Sequence, residues 1–194
     1  MGRPDTRTAW LDLGLETLRG QGIDAVRIDQ LAARLHKTRG SFHHHFNGAA
    51  GFRQALLDRF EEMSLSEVHR MSESSTGLPV AAALEQIART FRYDATLEAA
   101  VRGWAETSAQ ARATMTRLDA ARLTALIEIW RTELPDLDQA RMAALVPHLV
   151  IVGASITKPT PSRDEVAATL ALLAALVPHV GQAIAAAADR DTPR

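Results

Sequence analysis

Apolar residues recur along this chain at the i, i+3, i+4, i+7 spacing of helices and nowhere alternate over a strand-length run. A first helix is predicted from Asp5 or Thr6 to about Arg19, with Trp10, Leu11, Gly14, Thr17 and Leu18 facing inward. Gly20-Gln21-Gly22 should stop it, because glycine accepts the left-handed turn at a helix end. Ile28, Leu31, Ala32 and Leu35 define the buried face of a second, short helix. Thr38 is placed to cap a third, whose Phe42 and Phe46 lie four residues apart and point into one small core. After the break at Asn47-Gly48, a fourth helix is expected from about Ala50 to Met71, burying Phe52, Leu56, Phe60 and Met63.

Ser72-Glu73-Ser74-Ser75-Thr76-Gly77 reads as a polar linker. It separates three segments: 1–48, a connecting stretch 49–77, and a body 78–194. In the body, helices are predicted at about 79–93, 95–105, 107–133, 136–157 and 163–187, divided by Leu134-Pro135-Asp136 and by Lys158-Pro159-Thr160-Pro161. The last two differ from the others. Met142 to Ala154 and Val166 to Ile184 are apolar almost all round. A helix without a polar face needs cover on every side, and a second copy of the chain packing as a four-helix bundle would supply it. The local repeat Ala-Ala-Leu-Val-Pro-His, at 143–148 and 174–179, puts a proline inside each of these helices.

Composition agrees with an all-α protein: 46% of the 194 residues are apolar and only 5% aromatic. The formal net charge of −1 excludes a bulk polycation. The charge is uneven, however. Residues 1–60 carry nine Arg/Lys against six Asp/Glu, and the remainder thirteen against seventeen, a basic head on an acidic body. With no cysteine there is no disulfide framework, thiolate ligand or thiol redox centre. The chain contains no uninterrupted apolar run of about eighteen residues and its N-terminus lacks a signal-peptide core, so the expectation is a cytoplasmic protein without a membrane partner.

The densest chemistry lies between Arg27 and Phe46. Thr38, Arg39, Ser41, His43, His44 and His45 crowd hydrogen-bonding groups onto two turns of helix. Such a helix suits the major groove of DNA, where an arginine can bond a guanine bidentately and hydroxyls and imidazoles can reach bases or phosphates. Arg27 and Lys37 are candidate phosphate contacts, and Gly40 leaves the backbone amides beside it open to a phosphate. Met1-Gly2-Arg3-Pro4 could lie along DNA as a basic arm. Consecutive histidines point about 100° apart on a helix and so do not share one metal ion; no metal or cofactor is expected. No catalytic constellation or Gly-rich phosphate loop is visible, which argues against an enzyme. Asp119 and Arg122, three apart, read as a surface ion pair.

Thr6-Arg7, the stretch from Gly22 to Ile28, Leu31-Ala32 and above all Thr38-Arg39-Gly40-Ser41-Phe42-His43-His44-His45-Phe46 resemble the TetR family of bacterial repressors over about residues 5–60. Arg102-Gly103-Trp104-Ala105 is similar to a stretch found in part of that family. The resemblance implies an N-terminal three-helix helix-turn-helix DNA-binding domain, then a helical ligand-binding and dimerisation domain. It implies a homodimer joined by the last two helices, a double-stranded operator and a small-molecule effector that releases it. Five positions depart from the family pattern. His36 stands where a turn glycine is usual, Lys37 where an apolar residue is usual, and His43 where a tyrosine is usual; Ala49 and Ala50 replace a basic and an acidic residue.

In the body, Phe91, Tyr93, Trp104, Met115, Trp130 and His148 are the larger side chains. Trp104, Trp130 and His148 are the candidates for an effector pocket, although tryptophans at helical spacing more often belong to plain core. Two other readings remain open: a ligand-binding or protein-interaction module whose DNA-binding head has decayed, motivated by Ala49-Ala50, and a small helical enzyme, which no constellation supports.

Overall fold

The computed structural model describes residues 6–90, 92 and 94–188, and these are all-helical, with no strand. The elements are α1 (Thr6–Gln21), a 3-10 turn (Ile23–Ala25), α2 (Ile28–Leu35), α3 (Arg39–His45), α4 (Gly48–Ser75), α5 (Val80–Thr90), α6 (Ala95–Ala105), α7 (Ala109–Trp130), α8 (Leu137–Ile156) and α9 (Arg163–Ala188). The expected arm Met1–Pro4, Asp5, Phe91 and Tyr93 lie outside the described residues.

Two expectations are corrected in α4. The segment expected as a polar linker is helical through Ser75, and only Thr76 and Gly77 turn, Gly77 at φ +74°. Ser72-Glu73-Ser74-Ser75 contains no glycine or proline to stop the helix. Within it, the Ser74 hydroxyl donates to the Met71 carbonyl at 3.1 Å. Met63, expected inside, is exposed; the buried apolar positions of α4 are Phe52, Ala55, Leu56, Leu57, Phe60, Val68 and Met71, and Ser75 at its end is buried as well. Its apolar stripe is therefore broken between Phe60 and Val68.

By contacts the chain forms two compact units, residues 1–64 with 94–118 and residues 65–93 with 119–194. They interleave the three segments drawn from the sequence. In the first unit α1 packs against α6, the 3-10 turn and α2, and α2 against α3. Trp10 and Leu18 are fully buried, and the Thr17 hydroxyl donates to the Leu13 carbonyl at 2.8 Å. Arg34 of α2 bonds Glu16 of α1 at 2.9 Å. Gly14 lets α1 approach α4 closely. A Cβ there would lie 2.8 Å from Leu56 Cδ2 and 2.9 Å from Phe52 Cζ, inside van der Waals contact.

Phe42 is the hub beneath α3. Its ring lies 5.3 Å from Trp10, 5.2 Å from Phe46 and 5.3 Å from Phe52, and Phe46 and Phe52 are 4.8 Å apart. Mostly edge-to-face arrangements at these distances add to the burial itself. Trp10 of α1, Phe52 of α4 and Phe46, which follows α3, thus clasp Phe42 and seat a helix of only seven residues, too short to be stable by its own hydrogen bonds.

In the second unit α9 packs against α5 and α8 over a core that includes Val80, Leu84, Ile87, Ala144, Ile151 and Leu170. Asp136 caps α8 by accepting the Gln139 amide at 3.0 Å. A reciprocal pair begins α9: the Ser162 amide donates to Glu165 Oε2 at 2.7 Å and the Glu165 amide to Ser162 Oγ at 3.2 Å. These bonds hold the Glu165 carboxyl below the usual carboxylate range. Arg122, expected at the surface, is buried, with its guanidinium 3.7 Å from Asp119. It lies four residues from both Leu118 and Leu126 on α7, so it shares their inward face.

Among the described side chains, α8 and the part of α9 up to His179 each leave an apolar face uncovered. Met142, Val146, Leu149 and Ile156 run along one face of α8, Leu149 at 60% and Ile156 at 61% exposure. On α9, Leu172 at 63% and Leu176, one turn on, are exposed likewise. By length and composition alone α8 could cross a membrane, with 44% of its apolar window buried within the protein.

Candidate functional site

The turn between α2 and α3 begins at His36, at φ 52° and ψ 43°, the left-handed region a glycine would occupy without strain. The Lys37 amide returns to the Ala32 carbonyl at 2.9 Å, closing the end of α2. Thr38 is extended, and its hydroxyl accepts the Ser41 amide at 3.2 Å, capping α3 as the sequence suggested. That cap occupies one lone pair of the hydroxyl and leaves its proton free for an outside acceptor.

Burying Phe42 and Phe46 turns the opposite face of α3 outward. Arg39, Gly40, His43 and His44 are exposed there, as are Lys37 and Thr38 in the turn and Arg27 just before α2; Ser41 and His45 are half-buried. The His45 ring lies 5.1 Å from His44 and 6.3 Å from Phe46, in edge contact with both. The α2–α3 candidates therefore lie on one continuous hairpin over the aromatic seat. Ala49 and Ala50, at the start of α4, are exposed.

The residue that sequence reasoning missed here is Asp29. Arg39 Nε donates to Asp29 Oδ1 at 2.5 Å, across the turn from α3 to α2. Chiefly through that hydrogen bond, and then through the nearby Arg39 and Arg27 charges, the Asp29 carboxyl is held below its ordinary value. The same bond raises the Arg39 guanidinium. Both side chains are largely in water, where such a pair adds little stability, so its effect is to orient the guanidinium. Nothing at a spacing of ten residues in sequence announces the contact.

The three effector-pocket candidates are all buried. Trp104 is buried in the first unit, Trp130 and His148 in the second, and none lines either described cleft. Buried Trp130 Nε1 has no hydrogen-bond partner among the described residues. The two clefts lie in the second unit and share Arg89 and Arg163. One, of about 630 Å³, is walled by the ends of α4 and α5 and the start of α9; the other, of about 510 Å³, runs between α5 and α9 over Ala88, Ala167 and Ala171. Among the described residues, no three His, Asp or Glu side chains gather around a point that could hold a metal ion.

No family model matches the chain, and no curated protein matches it. The chemistry of the α2–α3 surface must therefore speak for itself. Its outward groups are a guanidinium, an ammonium, imidazoles and hydroxyls, a donor-rich set suited to a partner rich in acceptors.

Proposed function

We propose that the protein is a homodimeric DNA-binding transcriptional regulator of the TetR type, with α2, the turn and α3 as its helix-turn-helix and α3 as the helix that enters the major groove. The observation that carries this reading is the two-sidedness of α3. Phe42 is fully buried while Arg39, Gly40, His43 and His44, on the same seven-residue helix, face out. In this role Arg39 reads a guanine edge. Thr38, Ser41, His43 and His44 reach bases or phosphates, and Arg27 and Lys37 hold the backbone. His45 borders this surface.

The exposed stripe on α8 and α9 supports the dimer. Met142, Val146, Leu149 and Ile156 keep a helical register along one face, as a seam with a second copy requires, whereas a membrane helix needs no such one-sided stripe. Two copies would present two copies of α3 to successive half-sites of a palindromic operator. A small-molecule effector that favours one dimer geometry over another would release the DNA through its unequal affinity for the two states.

The test is selection of bound DNA from a random pool followed by mobility shift over a salt series. A two-fold symmetric site whose affinity falls steeply with salt supports the reading. A second reading, a ligand-binding or protein-interaction module with a decayed DNA head, is favoured by Ala49 and Ala50, which offer no phosphate contact at an exposed helix start. Failure to enrich any sequence at low salt would establish that reading over the first.

A further inference from the structure

The second unit is acidic, with eight Arg and Lys against ten Asp and Glu among its described residues. Yet four of those eight basic residues line the 630 Å³ cleft: Arg70 from α4, Arg89 from α5, Arg92 just beyond it, and Arg163 as the first residue of α9. Among the described lining residues only Glu67 and Glu73 oppose them there. Glu67 is hydrogen-bonded by Arg70, which largely neutralises that pair. Arg89 is held by its own helix, at 3.4 Å from Glu85 and 3.2 Å from Gln86. Among the described residues no carboxylate pairs with Arg92 or Arg163.

The hydroxyls of the cleft sharpen its preference. Ser74 donates to the Met71 carbonyl and Thr90 to the Gln86 carbonyl at 2.8 Å, so neither proton is available to a guest. The free donors of the cleft are guanidinium N–H groups, and buried Met71 contributes an apolar patch beneath them. Guanidinium forks match the paired oxygens of carboxylate and phosphate. A volume of about 630 Å³ suits a small organic molecule and far exceeds a bare inorganic ion.

We propose that this cleft binds a metabolite-sized polyanion bearing carboxylate or phosphate oxygens, held mainly by Arg92 and Arg163 with Arg89 between the two clefts. The site is distinct from the candidates Trp104, Trp130 and His148, and it does not require the DNA-binding reading. Glu73 acts against the ligand and sets a limit on affinity.

Calorimetric titration of the full chain with citrate and, separately, with pyrophosphate tests the assignment and distinguishes the two oxygen sources. Saturable binding of at least one probe is expected. It should weaken at least tenfold in Arg92→Ala/Arg163→Ala, stay unchanged in Arg112→Ala/Arg131→Ala, and strengthen in Glu73→Gln. Raising the ionic strength should weaken it, as for any exposed charge pairing. Circular dichroism of each variant checks that the exposed substitutions leave the helices intact. Absence of saturable binding of both probes, or an equal loss in the two double variants, would overturn the proposal. No step uses DNA, so either outcome leaves the regulator reading to its own test.

Discussion

Two exposed surfaces of this molecule differ in what water does to them. Outward from α3 lie arginine, histidine and hydroxyl groups that water satisfies fully, so their identity places no demand on the fold. Along α8 and α9 lie Met142, Val146, Leu149, Ile156, Leu172 and Leu176, whose exposure is unfavourable by roughly 25 cal/mol for each Å² left in water. The first surface needs no partner for stability. On the proposed reading the second gains stability from one, and exposed apolar area of this kind is characteristic of an interface.

The comparison can be broken at four points. The largest effect is expected from a charge in the apolar stripe: Leu149→Glu combined with Leu176→Glu should halve the apparent mass in size-exclusion chromatography or unfold the chain. An unchanged dimer would place the seam elsewhere. Next is the seat of α3. Phe42→Ala removes a fully buried ring touching Trp10, Phe46 and Phe52 and should lower unfolding free energy by about 3–5 kcal/mol in a denaturant titration. Arg39→Ala is expected to leave that titration alone while weakening the selected operator by about tenfold to a hundredfold per half-site and relaxing its sequence preference. Unaltered selectivity would remove Arg39 from base reading. Smallest is His36→Gly, which relieves the left-handed backbone at φ 52° and should raise stability by about 0.5–1 kcal/mol, read as a higher midpoint in the same titration.

Local signals in the sequence were enough for much of this. Ile28–Leu35 emerged from helical periodicity, Thr38 from its capping chemistry, and Phe42 and Phe46 as a pair from their spacing of four. Each depends on residues within one or two turns. The continuation of α4 through Ser75 was hidden because a serine-rich turn satisfies helix and linker alike, and tertiary context, here the burial of Ser75, decides between them. The Asp29–Arg39 bond, the inward course of Arg122 and the meeting of Arg70 and Arg89 with Arg163 depend on how helices pack, and no local pattern encodes them. Trp104, Trp130 and His148 are buried, a state that bulky residues at helical spacing reach as core or as pocket lining alike, so their kind alone does not decide their use.

Gly14 presents no side chain to anything outside the protein, yet it governs how α3 is held. A single methyl there would press on Phe52, which cannot yield freely because Phe42 and Phe46 already lean on it. The displacement would pass from ring to ring into the helix that carries Arg39. A genetic screen for loss of α3 function should therefore recover lesions at this silent position on α1 as readily as at the residues that face the partner.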